Sequence, residues 1–193
     1  MNAARRAVAA EVLAAAREHD AGQSDRLARF RNVEPETAEL LGVLVRAVRA
    51  ASVLELGTSN GYSTIWLADA AEHVGATLIS VEIDPERTAL ARANLASANV
   101  DADLRTQDAG ELLRTSEDGA YGFVFLDAER PTYVGYWPDL LRVLAPGALL
   151  VIDNVISHDE QVEEVTALIE AEPTVMTVIV PTGAGLRVVV KDR

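Results

Sequence analysis

Polar side chains that could bind cations or hydroxyl groups stand where five apolar segments of the sequence end. In chain order these side chains are Glu55, Glu82, Asp108, Asp127 and the pair Asp153-Asn154. Apolar segments that alternate with helical patterns are typical of parallel strands buried on both faces of a sheet. Ligands of such sheets bind beyond the carboxyl ends of the strands. The five polar ends therefore predict one ligand site along a single edge.

The segment around Gly57 and Gly61 has the pattern of a strand, a glycine loop and a helix. Glycine allows a positive φ and lets a ligand approach the backbone, and the first N–H groups of the helix then face that ligand. The loop lacks the Gly-x-Gly-x-x-Gly pattern of a dinucleotide site. We expect Glu55 at the pocket floor, where it would repel a pyrophosphate but suit an ammonium or sulfonium cation.

Two further acidic positions follow in the order that such a site requires. Glu82 lies 25 residues after Gly57, close to the spacing at which a carboxylate binds ribose hydroxyls. Asp84-Pro85 then provides the N-cap and the first residue of a helix. Asp108 has two open interpretations, a ligand at the end of the third strand or the N-cap of the next helix.

The C-terminal part departs from simple alternation of strands and helices. Leu144–Gly147 has the residues of a helix stop and a turn. A capping box at 157–160 predicts a helix that extends to about Ala171. The β-rich runs Val175–Val180 and Leu186–Lys191 are separated by five residues, which is too few for a parallel crossover. These runs therefore predict an antiparallel hairpin at the end of an otherwise parallel α/β sheet.

The composition limits the class of protein. For 193 residues we expect one α/β domain, in which helical patterns at 3–18 and 36–49 form either a cap over the pocket or ordinary packing on the sheet. No run approaches 18 apolar residues and the N-terminus lacks signal-peptide features, so we expect a cytoplasmic protein without a membrane partner. The net charge of −13 argues against a nucleic-acid partner, and the absence of cysteine excludes thiolate chemistry.

Four motifs resemble, in this order, those of class I S-adenosylmethionine-dependent O-methyltransferases, most of all the catechol and caffeoyl-coenzyme-A branch. The motifs are Glu55-x-Gly57-x-x-x-Gly61-Tyr62-Ser63, Val81-Glu82-Ile83-Asp84, Phe125-Leu126-Asp127 and Val151-Ile152-Asp153-Asn154-Val155. The resemblance covers residues 33–155 and, more loosely, the C-terminal hairpin. It implies a Rossmann-like, doubly wound sheet of seven strands with a reversed last strand, which agrees with the hairpin predicted above.

The resemblance also implies roles for individual residues. At the methionine end of S-adenosylmethionine it implies Glu55 and Gly57, with Tyr62 and Ser63 at the carboxylate. It implies Glu82 at the ribose and Gln107 with Asp108 at the adenine. Further contacts are implied for Ser59, Gly61, Ile83 and Asp127. For a divalent metal it implies Asp127, Asp153 and Asn154, whose oxygen donors suit Mg²⁺, Mn²⁺ or Ca²⁺ rather than zinc. The implied reaction transfers a methyl group from the sulfonium to a hydroxyl of a small phenolic or catechol-like acceptor, with metal assistance.

Two positions depart from the family pattern. Asp127 and Arg130 are the expected catalytic pair, but Arg130 stands where the family usually has a lysine as general base, and an arginine cannot usefully be deprotonated. Three explanations are open: the metal alone ionises an acidic phenol, Arg130 reaches the mouth of the acceptor site and pairs with an anionic acceptor, or His158 replaces the lysine. Arg187 stands about where animal catechol enzymes have a glutamate against the second hydroxyl.

Three other functions stay open at this point. A nicotinamide-dependent dehydrogenase is disfavoured by the missing glycine pattern. A nucleic-acid methyltransferase is disfavoured by the acidic charge and by the sequence 127–131, which lacks the Asn/Asp-Pro-Pro-aromatic turn. The missing lysine leaves room for a non-catalytic protein that binds S-adenosylmethionine. A homodimer is also left open.

Overall fold

Strands and helices alternate along most of the chain, and the computed structural model describes all 193 residues. The apolar runs form seven strands: β1 Ser52–Leu56, β2 Thr77–Glu82, β3 Asp103–Thr106, β4 Tyr121–Leu126, β5 Leu144–Ile152, β6 Val175–Val180 and β7 Leu186–Lys191. The helical patterns form α1 Ala3–Ala21, α2 Pro35–Val48, α3 Tyr62–Val74, α4 Pro85–Ala98, α5 Ala109–Thr115, α6 Tyr133–Val143 and α7 Asp159–Ala171. No helix combines the length and the apolarity needed to cross a membrane.

All seven strands belong to one sheet with the order β3-β2-β1-β4-β5-β7-β6. Strands β1 to β5 run parallel to one another, whereas β7 runs antiparallel to both of its neighbours. The short connection between β6 and β7 allows only a hairpin, which reverses β7. The predicted fold, a Rossmann-like sheet that is mostly parallel with an antiparallel C-terminal strand, is confirmed.

Two local predictions are wrong. The helix stop predicted at Leu144–Gly147 is confirmed, since α6 ends at Val143, but the predicted turn is instead the start of β5, where Leu144 pairs with Tyr121 and a register shift follows. The capping box of α7 does not form, because α7 begins at Asp159 and its N-cap, His158, makes no side-chain capping bond. The Ser157 hydroxyl lies 2.8 Å from the His158 ring instead. In both places the residue has a partner that the local sequence pattern does not reveal: Tyr121 of β4 for Leu144, and the His158 ring for the Ser157 hydroxyl.

Helices cover both faces of the sheet and create two cores. Helices α1 to α4 pack on one face around fully buried residues such as Leu41 and Phe123, and α5 to α7 pack on the other around residues such as Leu54 and Leu140. Strand side chains alternate between these cores, because successive residues of a strand point to opposite faces. Helices α1 and α2 thus pack on the sheet, while residues 26–34 between them, here called the cover segment, lie over its carboxyl edge.

Candidate active site

A cavity of about 810 Å³ lies at the carboxyl ends of the parallel strands. Its volume is within the range of small-molecule sites. The strand-end residues that line it are Glu82, Ile83, Gln107, Asp108, Asp127, Asp153 and Asn154. The cover segment lines the opposite side with Arg26, Phe30 and Arg31 among others. Four of the five polar strand ends therefore face one space.

The loop after β1 shows why glycine is required at its first position. Gly57 has φ +109°, and a Cβ atom there would lie 2.1 Å from the carbonyl oxygen of Asp127. The loop is therefore packed directly against the end of β4, and its Gly57 and Thr58 N–H groups donate to the Val81 carbonyl of β2. Ser59 follows with φ +50°, a left-handed conformation that is uncommon for a residue with a side chain. This conformation aims the Ser59 N–H at β2.

Glu55 is not at the pocket floor, so that expectation is corrected. Its side chain is fully buried and does not line the cavity. Three hydroxyl groups donate to its carboxylate, those of Ser63 and Thr64 at 2.5 Å and of Ser80 at 2.6 Å. Burial nevertheless raises the pKa of Glu55 to about 7. Glu55 therefore fixes the start of α3 to β1 and β2 rather than contacting a ligand.

The rest of the glycine-loop motif divides between cavity and core. Gly57, Ser59 and Ser63 line the cavity, whereas Gly61 and Tyr62 do not. Gly61 is the N-cap of α3 with φ +86°, and Tyr62 is buried in the core. The Tyr62 side chain therefore packs in the core, and of the expected pair at the ligand carboxylate only Ser63 lines the cavity. Burial is also what raises the pKa of the Tyr62 hydroxyl.

Glu82 is held in position by backbone groups on both sides. Its Oε2 accepts from the Ser59 N–H at 2.8 Å, and its Oε1 accepts from the Asp84 N–H at 3.1 Å. Each carboxylate oxygen keeps a free lone pair for a ligand. Gln107 and Asp108 line the cavity beyond Glu82, and Asp108 also caps α5 by accepting from the Glu111 N–H at 2.8 Å. Both interpretations of Asp108 are thus compatible with its position.

Asp127, Asp153 and Asn154 form an acid–amide cluster at the ends of β4 and β5. The amide nitrogen of Asn154 donates to Asp127 Oδ1 at 3.3 Å and to Asp153 Oδ2 at 2.9 Å. The remaining Asp153 oxygen, Oδ1, is buried and has no hydrogen-bond partner. Burial raises the pKa of both carboxyl groups, and the neighbouring charge of Asp153 raises the pKa of Asp127 further.

The donor set of this cluster fits a hard divalent cation. A buried oxygen without a partner costs free energy, and two adjacent carboxylates repel each other. A cation between them would relieve both costs. Rotation of the Asn154 amide by half a turn would present its oxygen in place of its nitrogen. The amide occupies the same space in both orientations, so this rotation needs no rearrangement of its neighbours. Two carboxylates and one amide oxygen are ligands that Mg²⁺, Mn²⁺ and Ca²⁺ accept.

Arg130 lies in the cavity wall rather than at its mouth. It opens a 3₁₀ turn, Arg130–Thr132, and only 4% of its surface is exposed. Its Nε donates to Gln161 Oε1 of α7 at 2.8 Å. The loop before it is braced by the Tyr133 hydroxyl, which donates to the Ala128 carbonyl at 2.9 Å. Arg130 is therefore a buried cation in a fixed position that faces the cavity.

Arg187 does not face the cavity, so its expected place beside the acceptor is corrected. It is buried on β7, where it donates to Thr177 Oγ1 at 3.3 Å and pairs with Glu170 of α7 at 3.1 Å. His158, in contrast, lines the cavity. Burial lowers the pKa of His158, and the charge of Arg130 lowers it further. The imidazole is therefore neutral near pH 7.

The cover segment is the part of the site that the sequence motifs did not reveal. Its Arg26 and Arg31 pair with Glu129 at 3.2 and 2.7 Å, and Asp20 accepts from the Phe30 and Arg31 N–H groups. Arginines at 26, 29 and 31 give a local run of positive charge in an acidic chain. That run of arginines is the sequence feature that could have pointed to the cover segment, although it does not reveal which acidic residue the arginines pair with.

The comparisons with known proteins agree with this geometry. A family model described as O-methyltransferase matches residues 5–191. The chain belongs to the O-methyltransferase family. A catechol O-methyltransferase of Niastella koreensis is 38% identical over 138 residues, which cover 69% of this chain and 62% of that protein. The chain spans about three fifths of the length of the curated catechol O-methyltransferases that it matches.

Solved structures of this family share the whole fold. A putative O-methyltransferase from Klebsiella pneumoniae superposes with a TM-score of 0.81 at 27% identity, covering 96% of this chain and 90% of that one. An O-methyltransferase from Bacillus cereus in complex with SAH (S-adenosylhomocysteine) gives a TM-score of 0.80 at 26% identity, covering 96% and 91%. The O-methyltransferase fold is therefore present from α1 to β7.

Proposed function

We propose that this protein transfers a methyl group from S-adenosylmethionine to a hydroxyl of a small phenolic or catechol-like acceptor, with a divalent metal ion. One observation carries the proposal: Glu82 and the acid–amide cluster line the same cavity. A carboxylate suited to binding hydroxyls and a candidate metal site thus share one cavity, which could hold two reactants side by side. The relatives named catechol O-methyltransferase and the SAH complex of a structural neighbour support it.

The cofactor would lie between the glycine loop and the ends of β2 and β3. Glu82 would accept from the two ribose hydroxyls, and Gln107 with Asp108 would border the adenine. Ser63 and the backbone around Ser59 border the methionine end. When bound, S-adenosylmethionine supplies an electrophilic methyl group on its sulfonium. The chain contributes orientation, because it holds this group and the acceptor at the same cavity wall.

The acceptor would lie at the acid–amide cluster. Asp127, Asp153 and Asn154 would hold the metal, which would lower the pKa of the acceptor hydroxyl. Arg130 cannot accept the proton of that hydroxyl. The neutral His158 ring, whose Nδ1 lies 2.8 Å from the Ser157 hydroxyl, borders the same cavity and can take up a proton released there. The cover segment closes the opposite side and limits the access of water.

A turnover assay tests the proposal and separates it from a non-catalytic binding protein. Purified protein would be incubated with S-adenosylmethionine and a panel of catechols, with Mg²⁺ or with a chelator, and both methylated product and S-adenosylhomocysteine would be measured. We expect product that depends on the metal and on Glu82, with Glu86→Ala as the control for an exposed glutamate outside the cavity. Tight S-adenosylhomocysteine binding without any product would contradict the enzymatic function.

A further inference from the structure

Arg130 is a largely buried guanidinium that forms no ion pair within the chain. Its side chain is 4% exposed, and its Nε donates to the neutral Gln161 amide. Its two terminal nitrogens face the cavity and make no hydrogen bond or ion pair within the chain. No atom of Arg130 is among the buried polar atoms that have no hydrogen-bond partner, so these nitrogens are open to the cavity. An anion that enters the cavity can therefore pair with them.

The other buried arginine, Arg187, differs from Arg130 in its ion pairing. Arg187, 3% exposed, is paired with Glu170 at 3.1 Å. Arg130 has no equivalent acid. The remaining arginines of the cavity wall are less buried and already have partners: Arg26 and Arg31 pair with Glu129, Arg87 donates to the Leu27 and Arg29 carbonyls, and Arg29 donates to the Gln23 carbonyl.

Three nearby carboxylates do not form an ion pair with Arg130. The charge of Arg130 acts on Asp127, Asp153 and Glu129, and Glu129 already pairs with Arg26 and Arg31. Neither Asp127 nor Asp153 forms an ion pair with Arg130. One oxygen of each accepts from the Asn154 amide, and Asp153 Oδ1 has no hydrogen-bond partner. A divalent cation at this cluster would match the charge of both carboxylates and leave Arg130 without a counter-charge.

We propose that Arg130 binds a carboxylate group of the acceptor, so that the acceptor is a catechol that carries a carboxylate on its ring or on a short side chain. A guanidinium presents two parallel donors that match a carboxylate, and Gln161 leaves both terminal nitrogens free for it. Arg130 follows Asp127 by three residues and lines the same cavity as the acid–amide cluster, so an acceptor whose hydroxyls bind at the cluster would lie beside Arg130. This inference rests on the proposed function and narrows its substrate class.

The test compares two acceptors of nearly equal size, 3,4-dihydroxybenzoate and 3,4-dihydroxybenzamide. Binding to the full chain is measured by calorimetry with S-adenosylhomocysteine and Mg²⁺ present. We expect the wild type to bind the benzoate at least about ten-fold more tightly, as a charge-assisted bidentate pair would give. Arg130→Gln should bring the two affinities within about three-fold of each other. Arg130→Lys keeps the positive charge but lacks the two parallel N–H donors of the guanidinium, so it should retain part of the preference for the benzoate.

Arg187→Gln is the matched control, because it replaces the other buried arginine outside the cavity and should leave the preference intact. Equal affinities of the wild type for benzoate and benzamide would overturn the inference without any variant. A preference that survives in Arg130→Gln would overturn it as well. Turnover of the same two compounds separates the proposals: equal methylation of both refutes only the carboxylate site, whereas Arg130-dependent binding without methylation refutes only the transferase activity.

Discussion

The backbone N–H of Ser59 donates to Oε2 of Glu82 at 2.8 Å, and this bond joins the loop after β1 to the end of β2. Ser59 reaches it with φ +50°, and Asp84 supplies a second N–H to the other oxygen at 3.1 Å. The Glu82 carboxylate is therefore oriented before any ligand arrives. Such preorganisation lowers the entropy cost of binding.

Replacing Glu82 with alanine should weaken S-adenosylhomocysteine binding by about 1.5–3 kcal/mol, since it removes charge-assisted hydrogen bonds to a ligand hydroxyl pair. Glu82→Gln keeps one acceptor oxygen and should lose less. Isothermal titration measures both, with Glu86→Ala as control, because Glu86 is exposed and outside the cavity. An affinity of Glu82→Ala equal to that of the wild type would remove Glu82 from the cofactor site.

Replacing Asp153 with alanine should abolish specific binding of one divalent cation, because it removes a buried carboxylate from the acid–amide cluster. Mn²⁺ titration followed by electron paramagnetic resonance would show a loss of affinity greater than about 100-fold, beyond the roughly 10–100-fold that is typical for a supporting residue. Asp159→Ala serves as control, since Asp159 is exposed in the first turn of α7. If Mn²⁺ binds both proteins equally, the cluster is not the metal site.

The stability of the protein should depend on the protonation of Glu55. Its pKa is about 7 in the folded protein against an ordinary value of 4.5, because burial disfavours the ionised form. Below pH 4.5 the group is protonated in both the folded and the unfolded chain. As the pH rises from 4.5 through 7, the unfolded chain ionises first and the free energy of unfolding falls.

Glu55→Gln, which cannot ionise, should therefore be more stable than the wild type above pH 7, by up to about 3 kcal/mol, with the difference vanishing toward pH 4.5. Urea unfolding at pH 5 and pH 8 measures the effect. Glu36→Gln, at an exposed position in α2, should show no such pH dependence. A constant difference between Glu55→Gln and the wild type at both pH values would mean that Glu55 stays ionised when buried.

Replacing Glu129 with glutamine should loosen the cover segment, because Glu129 pairs with both Arg26 and Arg31. Each of these half-exposed pairs contributes at most about 1 kcal/mol. We expect faster hydrogen exchange of the backbone amides in residues 27–31 and a higher KM for the acceptor. Glu39→Gln breaks an exposed pair with Arg6 elsewhere and is the control. Unchanged exchange would show that the contacts of the segment with Asp20, Ser59 and Arg87 hold it without Glu129.

The alternation of parallel strands with helices, the reversal of β7 and the glycine loop followed from the sequence. Each depends on local features: apolar runs buried on both faces, a five-residue connection between β6 and β7, and glycines at the end of β1. The polar strand ends could be predicted to share one edge for the same reason, because parallel strands place their carboxyl ends together. Four of the five do line one cavity.

Only the tertiary structure decided which side chains of these motifs face the cavity. Glu55 and Tyr62 belong to the motif but are buried beneath the loop, and Arg187 is paired with Glu170 away from the site. The cover segment meets Glu129 from nearly a hundred residues away. Local patterns record the propensity and period of a segment, whereas burial and ion pairing depend on what the fold packs against it. Arg130 shows the difference best: its charge was evident from the sequence, but the absence of a partner was not.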